Sequence, residues 1–258
     1  MNTMKTKIRI IIFFSFALIV FSCVPKQSIQ QSLDFKDTNE QNGLSKTGTV
    51  TDVDNNVYKT VTIGTQVWMK ENLKTTKYND GTPIIKSLSS NEWKRNSTGA
   101  YTIYKNNARN NTTYGKLYNW YAVNSCKLCP KGWHIPTNAE WNILTTFIGG
   151  DAGAKMKSAS SWKRSNSLAT NESGFSALPG GERNSLGKFE NIRYEGKWWS
   201  STLGKREFKK SSYNYFLGRY SGGYDYTPVL ILNLFSSPRV LNSESLKKDG
   251  LSVRCLKD

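Results

Sequence analysis

"LCPKGWHIPTNAEW", residues 128–141, brings together Cys129, two tryptophans, two prolines and the only histidine of the chain, His134. Its second half carries the start signal of a helix. In Thr137-Asn138-Ala139-Glu140 the threonine hydroxyl can accept a hydrogen bond from the glutamate amide, and the glutamate carboxylate can accept one from the threonine amide. This capping box predicts a helix that begins near Asn138.

The apolar pattern continues beyond the quoted stretch. One helical face carries Trp141, Leu144, Thr145 and Ile148, and Gly149-Gly150 ends the pattern. We therefore expect an amphipathic helix with Trp141, Leu144 and Ile148 buried against a sheet. A second short helix is predicted over "DAGAKMKSA", residues 151–159.

Upstream, "TVTDVDNNVYKTVTIGTQVWM", residues 49–69, predicts a β-hairpin. Two alternating runs flank Asn55-Asn56, and asparagine tolerates the positive φ angles that a tight turn requires. The acidic spacing also suggests a calcium loop. However, Val57 stands where such a loop needs glycine, and Ile63 replaces its bidentate glutamate. The pattern favours a turn over a metal site.

Short strands and turn clusters fill most of the remaining chain. Asp80-Gly81 with Pro83 predicts a turn, and "GFSALPGGER" at residues 174–183 predicts glycine-punctuated loops. The aromatic residues between 89 and 123 are interpreted as core, although a stacking surface for a ligand is the alternative. The whole pattern predicts one α+β domain with few helices over residues 47–258.

The first residues indicate export. Residues 1–22 combine three basic residues with an apolar run of about twelve residues, shorter than the ~20 that a membrane-spanning helix needs. The run ends in "VFSC", which resembles a bacterial lipobox that makes Cys23 the lipidated first mature residue; an ordinary signal peptide is the alternative. Residues 23–46 are polar and predict a flexible tether. Val24 is not the aspartate that retains lipoproteins in the enteric inner membrane, which favours the outer membrane.

The chain is strongly basic, but its basicity identifies no partner. The net charge of +17 falls by three to +14 once the basic residues of the signal are removed. In an exported protein such an excess favours anionic lipid, acidic glycan or mere solubility over nucleic acid. We expect no nucleic-acid partner.

Six motifs, in order, carry a family resemblance. They are "DNNVYKTVTIGTQVWMKENLKTTKYNDGTPI", "YGKLYNWYAV", "LCPKGWHIPTNAEW", "GFSALPGGER", "WWSST" and "SVRCLKD". Together they resemble the Fibrobacter succinogenes major paralogous domain, common in lipoproteins of Bacteroidetes and Fibrobacteres, over roughly residues 47–258. "GWHIPTNAEW" also resembles the "GWRLPTEAEW" signature of the formylglycine-generating enzymes and their C-type-lectin-like relatives. The resemblance implies a C-type-lectin-like fold and no particular reaction.

The family pattern places a cysteine before "P-x-G-W" and another in the closing strand. This implies a Cys129–Cys255 disulfide, which an exported chain would keep. Cys126 would then be a spare thiol or a competitor of Cys129. Two weaker alternatives remain: a redox pair, Cys126 and Cys129, without the usual βαβ context, and a zinc site that adds His134 and Cys255 to that pair.

Catalytic and metal-binding candidates are weak. The formylglycine-generating enzymes use a copper-binding cysteine pair, whereas the corresponding C-terminal part of this chain offers Cys255 alone. His134 could be a general base, but its place at a helix start favours packing or surface. Calcium-dependent lectin chemistry is not supported, since Tyr78-Asn79-Asp80 only half matches the expected Trp-Asn-Asp triplet. "LPGGER" lacks the lysine of a P-loop.

These observations lead to one functional expectation. The chain is predicted to be a non-enzymatic, lipid-anchored cell-envelope domain that binds a ligand, glycan or envelope protein without calcium. No cofactor or metal is expected, and the membrane partner is reached through the lipid. The alternative is an enzyme of unknown reaction in a formylglycine-generating-enzyme-like fold.

Overall fold

A computed structural model describes residues 47–87, 89–163, 169–203, 213–214, 219–220, 226–233 and 240–258. The predicted signal, Cys23 and the tether lie outside these residues. Within them, no helix is long and apolar enough to cross a membrane. Mixed sheets and short helices make the domain α+β, as predicted.

The described residues form strands and helices that are mostly short. The strands are β1 Thr47–Thr51, β2 Val57–Ile63, β3 Gln66–Met69, β4 Ile85–Lys86, β5 Ala100–Thr102, β6 Leu117–Tyr118, β7 Trp133–His134, β8 Glu182–Arg183, β9 Phe189–Glu190, β10 Glu195–Trp199, β11 Tyr213–Asn214, β12 Arg219–Tyr220, β13 Tyr226–Asn233, β14 Val240–Leu246 and β15 Leu256–Lys257. The helices are α1 Ser90–Arg95, α2 Ala108–Tyr114, α3 Trp120–Val123, α4 Asn138–Ile148 and α5 Ala152–Met156, with a 3-10 turn at Tyr104–Asn106.

A five-stranded sheet, ordered β1-β2-β3-β15-β7, organises the domain. Its last strand by sequence, β15, lies between β3 and β7 and is antiparallel to both. Smaller sheets surround it, in the orders β10-β13-β14, β4-β5-β6, β8-β9 and β11-β12. Long-range pairing by β15 therefore brings the residues around 70, 133 and 256 together.

The predicted hairpin is confirmed. β1 and β2 pair with Thr51 opposite Val57, and Asn55 has a φ of 63°. The Asp52 carboxylate accepts hydrogen bonds from the backbone amides of Asp54 and Asn56, both at 2.9 Å. This carboxylate therefore holds the turn through hydrogen bonds within the loop.

The central sheet is buried on both faces, which explains the predicted alternation in β2. Tyr58 packs on one side with Met69 and Trp199. Val61 packs on the other side with Trp68 and the α4 cluster. Val57 shares the orientation of Val61 but lies at the strand end and is 63% exposed. The alternation along β2 thus directs side chains into two hydrophobic cores, one on each face of the sheet.

Helix α4 begins and ends where the sequence predicts. Thr137 and Glu140 form the reciprocal capping box, and Gly149 follows the last helical residue. Trp141 and Leu144 are fully buried, and Trp141 stacks on Trp68 with ring centroids 4.6 Å apart. Ile148 is only partly buried.

Three of the described helices are not among those predicted from the sequence. α1 forms at residues 90–95 behind a second capping box, made by Ser89 and Glu92. Asn107 caps α2 and Asn119 caps α3. α5 lies within the predicted second helix. The missed helices are only one or two turns long, too short to show a clear apolar period.

Candidate functional site

A pocket of about 430 Å³ opens beside β7 and β15. Its wall combines apolar and polar side chains from loops that are distant in sequence. The lining residues are Asn79, Val123, Cys126, Leu128, Cys129, Pro130, Lys131, Gly132, Trp133, His134, Ile135, Ser201 and Asp258. The volume lies within the roughly 300–1,000 Å³ that is usual for small-molecule sites.

The disulfide implied by the resemblance is present, and its Cys129 end lines this pocket. Cys129 and Cys255 are bonded, with Cα atoms 6.0 Å apart, and both are buried. Neither sulfur is therefore available as a zinc ligand or as a copper-binding thiolate. The zinc alternative is wrong for these residues.

Cys126 lies in an exposed turn with a φ of 59°. Cys255 pairs with Cys129 rather than with Cys126, so Cys126 does not replace Cys129 in this bond. It lines the pocket near Cys129, and the pair does not form a redox dithiol with each other.

His134 lies between two carboxylates. Its Nδ1 is 2.6 Å from Asp258 Oδ1, and its Nε2 is 2.9 Å from Glu140 Oε1. The other oxygen of Glu140 accepts the Thr137 amide and hydroxyl, so one carboxylate serves both the helix cap and the imidazole. His134 thereby joins the start of α4 to the end of β15.

Burial and hydrogen bonding oppose each other at this pair. Burial favours the neutral imidazole, but the hydrogen bonds from His134 to Glu140 and Asp258 outweigh it and raise the pKa of His134. Burial would likewise raise the pKa of Glu140, yet the hydrogen bonds from His134 and Thr137 lower it. The ion pair between His134 and Glu140 is therefore favoured at pH values above the lowered pKa of Glu140 and below the raised pKa of His134.

The carboxylate contacts of both ring nitrogens limit the chemistry that is open to His134. A general base needs a free lone pair within reach of a substrate proton, and both ring nitrogens here face carboxylates of the protein. In this arrangement neither ring nitrogen offers a free lone pair. His134 is an ion-paired link between two elements.

Trp133 and Ser201 are the pocket residues that sequence reasoning missed. Trp133 is partly exposed on the wall, and the Ser201 hydroxyl is buried with no hydrogen-bond partner among the described residues. Buried hydroxyls are normally paired, so an orphan at a pocket wall is noteworthy. Only the "WWSST" and "GWHIP" motifs could have drawn attention to them.

The half-matching Tyr78-Asn79-Asp80 triplet supports the pocket without offering a calcium site. Asn79 Nδ2 donates to the Cys129 carbonyl at 3.0 Å. Asp80 pairs with Lys127 at 2.8 Å, which, with hydrogen bonds, pulls the pKa of Asp80 well below its usual value. The triplet thus fixes one rim of the pocket to the 126–129 loop.

Other buried ionisable groups lie outside this pocket. Lys116 is held by the Lys74 carbonyl and by Asn111 Oδ1, and burial lowers its pKa to about 8. Arg254 lies against the rings of Phe175 and Trp198, with burial lowering its pKa to about 9. Their partners are backbone, amide and aromatic groups of the core, which gives them a structural role.

Comparison with known proteins gives one match. A model of the Fibrobacter succinogenes major domain matches residues 61–257. No curated protein and no solved structure matches.

Proposed function

The chain belongs to the Fibrobacter succinogenes major domain family, and on that premise we propose a non-enzymatic binding domain of the cell envelope. A lipid on Cys23 would hold it at the outer membrane, with residues 23–46 as tether. The ligand site would be the pocket beside Trp133. The observation that carries the proposal is a pocket of about 430 Å³ with this aromatic wall and the orphan Ser201 hydroxyl.

A neutral glycan is the ligand class that fits the pocket best. An exposed aromatic face stacks on the apolar face of a sugar, while hydroxyl, amide and carboxylate groups pair with its hydroxyls. Trp133 supplies the ring, and Ser201 and Asp258 supply polar groups. The positive charges of Lys131 and His134 are balanced by the carboxylates of Asp258 and Glu140. The site therefore has no excess positive charge that would favour an acidic ligand.

Two features weigh against catalysis. His134 has both nitrogens on carboxylates, and Cys129 and Cys255 are joined. These three side chains are therefore poor candidates for nucleophilic or acid–base chemistry in the arrangement shown. This leaves binding as the better-supported role.

We also propose that the domain has a C-type-lectin-like architecture. Strands from both ends of the domain share the central sheet, with β15 beside β3 and β1 beside β2. Loops together with strand β7 line the pocket. An experimental structure compared with solved lectin-like domains would test this assignment.

Glycan binding can be tested with the full-length protein purified in detergent. On an array of neutral and acidic oligosaccharides we expect binding to neutral members, and Trp133→Ala should weaken it about tenfold through the lost stacking, about 1.4 kcal/mol. Phe147→Ala is the matched control, since Phe147 is 64% exposed and lies outside the pocket. Equal loss in both variants, or product formation from any array member, would contradict the proposal.

A further inference from the structure

The contacts of His134 imply a specific protonation state. Its two nitrogens face Asp258 and Glu140 at 2.6 and 2.9 Å. A carboxylate accepts hydrogen bonds, and a neutral imidazole has only one N–H to donate. With both carboxyl groups ionised, both contacts can be hydrogen bonds only when the ring carries two protons. The geometry therefore fits an imidazolium between two carboxylates.

The two carboxylates respond differently to loss of the second proton. Glu140 is less exposed, at 19% against 51% for Asp258, and it also accepts from Thr137. Removing its donor would leave a shielded charge without compensation, which is costly. Asp258 is readily hydrated. The neutral ring should therefore keep its proton on Nε2 towards Glu140, and Asp258 should lose its partner.

Asp258 forms part of the pocket wall, so its release matters to the site. Its backbone amide donates to the Gly132 carbonyl at 3.1 Å, which makes the His134 bond its side-chain tie. Among the described residues, the pocket wall also carries the cation Lys131, whereas Lys257 lies opposite Trp133 in β15 and therefore on the other face of the sheet from His134. A nearby cation disfavours the imidazolium, while the two carboxylates favour it.

We propose that His134 is a proton-dependent latch for the pocket: protonated, it holds Asp258 in the wall, and deprotonated, it releases Asp258 and weakens ligand binding. This regulation rests on the pocket being the binding site proposed above. The wall would be complete in mildly acidic surroundings and would loosen in alkaline ones.

The direction of the pH dependence follows from the raised pKa of His134. The latch is fully closed below 6.5, the ordinary value, and opens as the pH rises through the higher folded-state value. The second contact of His134, with Glu140, is lost only at acidic pH below the ordinary value of 4.5, because the pKa of Glu140 is lowered.

The single histidine makes the latch measurable without a ligand. Imidazole NMR signals of the full-length protein should show one titration above pH 6.5, with both nitrogens protonated on the acidic side and the Nε2–H tautomer on the alkaline side. The Trp133 indole signal, assigned with Trp133→Phe, should shift over the same pH range. The protection factor of the Asp258 amide, which corrects for the ordinary rise of exchange with pH, should fall above it.

Two variants separate the latch from general destabilisation. Asp258→Asn should lower the His134 pKa and abolish the coupled Trp133 shift, whereas Glu172→Gln, an exposed acid outside the pocket, should change neither. A His134 titration at or below pH 6.5 would overturn the latch. So would a Trp133 signal and an Asp258 amide protection that stay constant while His134 titrates.

Ligand measurements distinguish the latch from the proposed function. If a glycan binds, its affinity in the wild type should fall about tenfold as the pH crosses the His134 titration, within the usual range of coupling, and this dependence should vanish in Asp258→Asn. Binding that ignores pH would overturn the latch and leave the function standing. If no array member bound while the His134 and Trp133 signals still titrated together, the glycan proposal would be refuted, and the pH-dependent change in the pocket wall would stand.

Discussion

At the scale of single residues, side chains here often satisfy two neighbours at once. Glu140 closes the α4 capping box with one oxygen and binds His134 with the other. Asn72 accepts from Trp198 Nε1 and from Arg254 through the same oxygen. Such shared partners make the effects of substitutions non-additive, because one change removes two contacts.

Three substitutions at the start of α4 should therefore differ in cost. Thr137→Ala should lower the free energy of unfolding by about 1 kcal/mol through the lost cap, and Trp141→Ala by about 3–5 kcal/mol through the cavity opened beside Trp68. His134→Ala should cost clearly less than Trp141→Ala, since its ring is partly exposed. Urea titrations of the variants would give this order.

The result for His134 has its own contrary outcome. If His134→Ala destabilised the protein as much as Trp141→Ala, the ion pair would be a core element rather than an adjustable link. If it removed an activity or a bound metal while leaving stability intact, the residue would belong to a reactive site.

At the scale of elements, the sequence predicts those turns and helices that are determined by residues close together in the chain. The hairpin follows from Asn55 with its positive φ, and α4 follows from Thr137 and Glu140. The Ser89–Glu92 box before α1 is a local signal of the same kind. The pocket was not predictable, because Asp258 reaches His134 only through the placement of β15 beside β7. Neighbouring strands in a sheet leave no local trace in the sequence.

The Cys129–Cys255 disulfide should be an important brace for β15. Its ends are 126 residues apart, and closing so long a loop contributes up to about 4–5 kcal/mol in the chain-entropy model. The double variant Cys129→Ala/Cys255→Ala should therefore unfold at a markedly lower temperature in calorimetry.

Peptide mapping without reduction supplies the control for this pairing. We expect Cys129 and Cys255 in one linked species. Recovery of Cys126 joined to Cys255 would show that the other cysteine of the 126–129 loop is the native partner, and an unchanged melting temperature in the double variant would show that the brace contributes little.

At the scale of the whole molecule, the domain is a sheet with two cores and a pocket at its edge. Trp68 and Trp141 belong to one core, and Tyr58 and Trp199 to the other. The residues before Thr47 lie outside the described structure, so the link to the membrane is proposed from sequence alone. Anchoring is therefore the property of the whole chain that most needs a direct test.

The anchor can be tested by one substitution. If Cys23 is acylated, the full-length protein should partition into the detergent phase and incorporate a palmitate analogue, and Cys23→Ala should abolish both. Ser28→Ala, in the same predicted tether, is a matched control that should keep them. Undiminished labelling of the Cys23 variant would remove the lipoprotein assignment.

The position of β15 also constrains how the chain can fold. This strand, residues 256–257, completes the central sheet by joining β3 and β7, and Cys255 beside it closes the disulfide. A polypeptide that emerges from its N-terminus has two unjoined sheet halves until these late residues arrive, and pairing over such separations is slow. Until residues 255–257 pair, the two halves of the sheet would stay open to proteases and chaperones. A copy that lacks these residues would lose both the joining strand and the disulfide, and would not acquire a closed sheet.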